Sequence, residues 1–276
     1  MAAPLREARI DFPAAVKVPA VQVRGAENMQ VSETVAAEVP VAFAFNGADH
    51  LVMLATPADL DDFAYGFCLT EGIVERRDEI AAVAAHDLGT GLRLDIRIPE
   101  ARAAALKDRA RHLAGRTGCG LCGISSIEQV LRSLPDIEAP VPFPAAAIAA
   151  AQAALGERQA LNRVTGAVHA AAFADHAGTL LYVREDVGRH NALDKLIGAL
   201  TRAGVDPASG FALVTSRLSL EMAQKTIAAK IPLLAAISAP TSLAIALAKA
   251  AGLTLAAFVR EKGFTLYTHA DRVRLP

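Results

Sequence analysis

The chain has 276 residues, against roughly 150 for a typical domain, so it makes one large domain or two modest ones and can bury a core without disulfide or metal staples. With 53% hydrophobic and 21% charged residues it is globular rather than disordered, and 5% aromatics with no Trp predict an aliphatic, Ala-rich core. Twenty-eight basic against 29 acidic residues leave a net charge of -1, which excludes nucleic-acid or membrane attraction by bulk charge.

Residues 1–22 carry Pro4, Pro13 and Pro19, lack the apolar run of a signal peptide and predict an extended N-terminal arm. Residues 23–110 read as a small α+β domain. Within it, residues 39–45 and 50–55 are β-like runs joined through Asn46-Gly47, a strong hairpin signal. Thr56-Pro57 has the composition of a helix start, with Thr as N-cap. Leu60, Phe63, Ala64, Phe67 and Cys68 then recur at helical spacing as one buried stripe. Residues 92–98 alternate as a half-buried strand should, and 100–114 have a helical pattern.

Residues 111–130 hold a Gly- and Cys-rich loop, and 131–276 form the larger unit. Pro140, Pro142 and Pro144 precede an Ala-rich helical run. Strand-like segments at 179–183, 211–215, 233–237 and 253–259 alternate with helical patterns near 190–202, 218–230 and 241–251. That alternation predicts an α/β layer with a largely parallel sheet. Residues 231–248 are 18 consecutive uncharged residues, close to the lower limit for a membrane helix. Pro232, Ser238, Pro240, Thr241 and Ser242 interrupt them, so a buried strand followed by a helix is predicted, in a soluble, cytoplasmic protein.

Gly118-Cys119-Gly120-Leu121-Cys122-Gly123 is the sharpest chemical feature. It matches a dinucleotide fingerprint by letter, but a polar, helix-patterned segment precedes it where that motif needs a strand. As a zinc site it supplies two of four ligands, and Cys68 is accounted for by the buried stripe. Thiol chemistry suits it better. Glycines uncover each sulfur, Arg111 and Arg116 favour the thiolate, and sulfur passes between thiols by the displacement that drives disulfide exchange. An inert pair in a loop is the structural alternative. Two of the three cysteines lie here, and the odd count leaves at least one unpaired within the chain.

Three further segments carry polar density. In Arg184-Glu-Asp-Val-Gly-Arg-His-Asn-Ala-Leu-Asp-Lys195, Arg189, His190 and Asn191 are predicted at a helix N-terminus beyond a strand end, where anions find unpaired N–H groups. The structural alternative makes Asp186 and Asn191 caps and Arg189 and Asp194 a surface pair. His169, in an Ala-rich segment, is on composition a core residue. A zinc deaminase would want Glu two residues beyond its His, and position 171 is Ala. Arg260 and Lys262, in Phe258-Val-Arg-Glu-Lys-Gly263, have the chemistry to hold phosphates, although an ordinary charged turn has the same composition.

In order along the chain, Thr70-Glu-Gly-Ile73, Cys119-Gly-Leu-Cys-Gly123, Thr165-Gly-x-x-His169, residues 185–195, Ser216-Arg217 and Ser238-Ala-Pro-Thr241 resemble the FdhD family. The resemblance covers most of residues 39–270. Ala167 replaces a second Gly of the pattern, and Thr215-Ser-Arg stands where many members read Ser-Gly-Arg. The resemblance implies a C-terminal cytidine-deaminase-like three-layer α/β domain with a smaller N-terminal α+β domain. It also implies a sulfurtransferase, typically homodimeric and without deaminase chemistry. Such a protein takes sulfane sulfur from a cysteine desulfurase as a persulfide and delivers it to the molybdenum cofactor, in its bis(molybdopterin guanine dinucleotide) form, before insertion into formate dehydrogenase. By motif position Cys119 would carry the persulfide and Cys122 assist. Phe258, Val259, Arg260, Glu261, Lys262 and Gly263 match the cofactor-binding stretch, with Arg189 and His190 as further candidates and no metal bound by the chain itself. The rival readings are a non-catalytic cofactor chaperone and a zinc or redox module.

Overall fold

The structure, a computed structural model, describes residues 12–111, 134–138 and 141–275, without side-chain placement for 107–111. It begins with a hairpin of β1 (Ala15–Arg24) and β2 (Glu27–Ala36). The described part of the predicted arm is thus not a lone extended segment. It is a ten-residue strand with every residue paired in register, from Ala15 opposite Ala36 to Arg24 opposite Glu27.

The small unit pairs β3 (Val39–Phe45), β4 (Ala48–Ala55), β5 (Ala82–Asp87) and β6 (Leu92–Arg97) in the order β4-β3-β6-β5. Asn46 and Gly47, both at positive φ (48° and 83°), make the two-residue β3–β4 turn, whose twist matches that of the flanking strands. One face of this sheet packs on α1 (Leu60–Thr70), where Phe43 meets Phe63 edge-on with ring centroids 5.0 Å apart. Leu60, Phe63, Ala64, Phe67 and Cys68 are all buried, as the stripe predicts. The helix starts later than Thr56-Pro57 implies, because Asp59, not Thr56, is its N-cap. The chain leaves the small unit through α2 (Glu100–Arg111).

The larger unit is a six-stranded sheet in the order β13-β12-β11-β10-β8-β9. Its strands are β8 (His169–Asp175), β9 (Leu180–Asp186), β10 (Gly210–Val214), β11 (Leu233–Ala236), β12 (Thr254–Arg260) and β13 (Gly263–Leu266). Between β8 and β13 run α5 (Arg189–Ala203), α6 (Leu220–Ala228) and α7 (Ser242–Ala251); before β8 come α3 (Ala145–Arg158) and α4 (Ala160–Thr165). A short parallel pair, β7 (Phe143–Pro144) with β14 (Val273–Arg274), lies beside α3. Leu234, Leu255, Val214 and Phe173 face α5–α7 in one core, whereas Leu213, Leu233, Phe211 and Ala172 face α3 in another. The architecture is therefore a three-layer α/β/α sandwich.

The sheet is less parallel than predicted. The β10–β11 and β11–β12 pairs are parallel, but β8 runs antiparallel to both β10 and β9, and β13 is antiparallel to β12. The Ala-rich run at 170–174 has high helix propensity, yet it is fully buried as a strand between β9 and β10. Tertiary burial overrides propensity there. Residues 231–248 contain β11 and most of α7, and among the described residues no helix is long and apolar enough to cross a membrane.

Candidate functional site

The sequence motifs of the larger unit converge at one end of the six-stranded sheet. Because β8 runs against β10, its first residue His169 lies beside the carboxyl ends of the other strands, opposite Asp186 of β9. Thr215 follows β10 immediately and donates its backbone N–H to the Ala170 carbonyl at 3.0 Å. The carboxyl ends of β11 and β12 bring residues 237–240 and 258–260 to the same edge, where the Phe258 N–H donates to Ser238 O at 3.3 Å. The helices α5, α6 and α7 all begin there. Open α/β sheets bind ligands at such edges.

The run 185–195 divides by direction. Its inward half locks the two units together. Asp186 and Lys195 form a fully buried ion pair at 2.7 Å, both side chains 0% exposed. Around it, every polar atom of Thr56 is engaged. The Thr56 N–H donates to Asp186 Oδ2 at 3.0 Å, its carbonyl accepts from Lys195 Nζ at 2.9 Å, and its Oγ1 accepts from the Val187 N–H at 3.2 Å. Asn191 donates to both Leu54 O and Asp186 Oδ1. This is why Thr56 does not cap α1: its partners lie across the interface. Three residues on, Asp194 meets Lys225 of α6 at 2.9 Å, and Lys225 also pairs with Glu71 at 2.7 Å and donates to Thr70 Oγ1 at 3.0 Å. Asp194 is therefore buried against Lys225 rather than paired with Arg189 on the surface.

Burial pushes the Asp194 carboxyl up against the opposing pull of Lys225. Burial alone would lower Lys225, but Asp194 and Glu71 outweigh it and hold the ammonium above its ordinary range. One buried cation shared by two carboxylates is a tightly satisfied arrangement whose removal strands charge. Asp62 extends the interface, taking Arg184 at 2.7 Å and Arg202 at 2.6 Å.

The outward half faces the sheet edge. His190 Nε2 lies 2.7 Å from Glu221 Oε2 of α6. Partial burial pushes the Glu221 carboxyl up, but the His190 contact, with the charges of His190, Arg189 and Lys225, brings it below its ordinary range. His169 Nδ1 sits 3.4 Å from Thr215 Oγ1. Its imidazole is held below the usual histidine range, first by burial and then by the charges of Arg189 and His190, with Asp186 opposing. Arg189 makes no ion pair among the described residues, and its Nε is buried without a hydrogen-bond partner. A buried unsatisfied donor costs about 1–3 kcal/mol, so such a group calls for a partner such as a ligand, an ion or a water.

Glu185 completes the edge from below. Its two carboxylate oxygens accept from the N–H groups of Leu161 and Asn162 at 2.8 Å each, which pins the turn leading to His169. At the far side, Phe258 has φ 56° and is 45% exposed within a β-bulge. A bulky residue in the left-handed region is strained by roughly 1–3 kcal/mol, and such strain clusters at functional sites. Arg260 Nη1 donates to Ile237 O and Val259 O at 2.7 and 2.8 Å. Val259 is buried, whereas Glu261 and Lys262 are exposed at the turn from Arg260 to its partner Gly263. The segment thus presents Phe258, Arg260 and Lys262 together.

Cys119 and Cys122 lie outside the described residues. Cys68 is fully buried, and burial, with Asp194 nearby, pushes its thiol far above the ordinary range. It is a packing residue. The sequence reading missed Thr56, Lys225 and Glu221 as organising residues. A readable signal existed for Lys225, a charge among Met222, Ala223, Thr226 and Ile227 on a buried helix face.

The fold is shared with the crystal structure of a protein provisionally described as a formate dehydrogenase accessory protein, from Desulfotalea psychrophila. The TM-score is 0.76 at 24% identity, covering 95% of this chain and 100% of that one. The FdhD/NarQ family model matches residues 36–274, and the chain belongs to that family. It is 54% identical over 252 residues to the sulfur carrier protein FdhD of Xanthomonas euvesicatoria pv. vesicatoria (strain 85-10), covering 91% of this chain and 90% of that protein. It is 52% identical over 254 residues to the sulfur carrier protein FdhD of Variovorax paradoxus (strain S110), covering 91% of each.

Proposed function

We propose that this chain is a sulfur carrier that serves the maturation of a formate dehydrogenase. The observation that carries the reading is the family membership, with relatives named as sulfur carriers matching nine-tenths of the chain. The buried, non-acidic Cys68 supports a division of labour among the three cysteines, in which only the Gly-flanked Cys119 and Cys122 are offered for chemistry. The nucleophile is the thiolate. Cys119 attacks the outer sulfur of a desulfurase persulfide; the new S–S bond forms as the old one breaks, and the desulfurase cysteine departs as its thiolate. Cys122 assists, either by taking the outer sulfur from Cys119 or by attacking the Cys119 sulfur, so that the disulfide forms as the bond to the outer sulfur breaks and that sulfur departs as sulfide.

The sulfur acceptor is the molybdenum cofactor in its bis(molybdopterin guanine dinucleotide) form, taken as a substrate at the strand-end edge. Exposed Phe258 offers a flat face to an aromatic ring, while Arg260 and Lys262 offer charge to phosphates. The setting is the cytoplasm, where thiols stay reduced, and the working form is a homodimer that meets a cysteine desulfurase and then formate dehydrogenase. Incubation with a desulfurase and cysteine, followed by peptide mass spectrometry, tests the central step. One added sulfur atom on the Cys119 peptide, lost in Cys119→Ala, is the expected result. Full activation of formate dehydrogenase by Cys119→Ala, with unchanged cofactor sulfuration, would replace the carrier by a non-catalytic chaperone.

A further inference from the structure

We propose that Arg189, His169 and Thr215 form a seat for one phosphate-type oxyanion, separate from the 258–263 turn and braced by the His190–Glu221 pair. Four elements build it. His169 opens β8, Thr215 follows β10, Arg189 opens α5, and Glu221 reaches in from the first turn of α6.

The case rests on which charges are already matched. Lys195 is paired with Asp186, Lys225 with Asp194 and Glu71, and Arg184 with Asp62. His190 faces Glu221 at 2.7 Å. Arg189 alone of these cations has no carboxylate among the described residues, and its Nε is buried without an acceptor. Fixing His190 on Glu221 prevents that carboxylate from turning to Arg189 and closing the seat. Thr215 Oγ1 already accepts from the Ala170 N–H at 2.9 Å and lies 3.4 Å from His169 Nδ1, so the imidazole is held with its other nitrogen, Nε2, on the side away from Thr215. A guanidinium and an adjacent imidazole together match a phosphoryl oxygen pair, and the anion would repay both with charge-assisted hydrogen bonds. Around His169 the charged groups are Arg189, His190 and Asp186, of which Asp186 is neutralised by Lys195. Glu221, which also feels the Arg189 charge, is engaged by His190 at 2.7 Å.

This inference rests on the reading that a phosphate-bearing cofactor meets this edge, and it assigns a second contact point on that ligand. The test is histidine-resolved NMR on the full chain, with pyrophosphate as probe. Saturable movement of the His169 signals is expected. Arg189→Gln should weaken apparent affinity about tenfold or more, as loss of a charge-assisted contact does, and Arg189→Lys should weaken it less. Unchanged signals from the five histidines other than His169 and His190 confirm the fold of each variant. No saturable shift, or equal affinity in Arg189→Gln, overturns the seat. So does an equal loss in Arg260→Gln, which would place the anion at the turn. Sulfur loading of Cys119, measured on the same preparations, separates the two readings: failed loading with intact pyrophosphate binding removes the carrier function and leaves the seat.

Discussion

The two sheets are solved differently. Among the described residues only one face of the small unit's sheet is covered, and β4 shows it: Val52 and Leu54 are 64% and 56% exposed on one side, while Ala55 ends the strand fully buried. In the larger unit helices cover both faces, and every residue of β10 and β11 is buried. A sheet covered on both sides must read as a continuous apolar run, whereas a half-covered one alternates. The ligand-facing groups lie at the strand ends of the doubly covered sheet, where rigid layers fix them. The small unit supplies Thr56, Thr70, Glu71 and Asp62, which engage the end of β9, Lys195 and Arg202 of α5, and Lys225 of α6.

If that bracing is what matters, its largest test is Lys195→Met. It leaves the Asp186 carboxylate buried without its cation and should cost about 3–5 kcal/mol, read by urea denaturation; a cost below about 1 kcal/mol would dissolve the distinction between brace and site. Leu213→Ala, in the doubly covered sheet, should cost about 2–5 kcal/mol by the same assay. A smaller effect belongs to pH. The ordinary histidine value is 6.5 and folded His169 lies below it. Under acid, the unfolded chain takes up a proton near 6.5 that the folded chain refuses, so stability falls until folded His169 protonates too. His169→Asn should remove that slice of the acid sensitivity, a fraction of a kcal/mol for a half-buried group, visible as a flatter dependence of Tm on pH below 6.5. Smallest is Val52→Thr on the open face, within about 0.5 kcal/mol of the parent; a cost like that of Leu213→Ala would mean this face is covered.

Much of the fold was legible because periodicity reports burial directly. Asn46-Gly47 between apolar runs and the Leu60–Cys68 stripe are local signals, and each stands in the structure. What failed was non-local. The sheet was expected to be largely parallel, but β8 runs antiparallel to β9 and β10, and β13 to β12. Thr56 looks like a cap because its real partners, Asp186, Val187 and Lys195, are about 130 residues away. The site was half legible for the same reason. The run 185–195 advertised polar density, but only the folded geometry separates Asp186, Asp194 and Lys195, which face inward, from Arg189 and His190.

Where α1 crosses α5, Gly66 and Gly198 let the chains meet main chain to main chain; a Cβ on Gly66 would fall 1.7 Å from Asp194 O, and one on Gly198 1.8 Å from Asp62 O. Spacing set by peptide atoms admits no graded adjustment. A lineage could resize nearly any other contact between the two units one methyl at a time, but at this crossing the first methyl already forces them apart. The orientation of α5, and with it the aim of Arg189, is inherited as a fixed quantity.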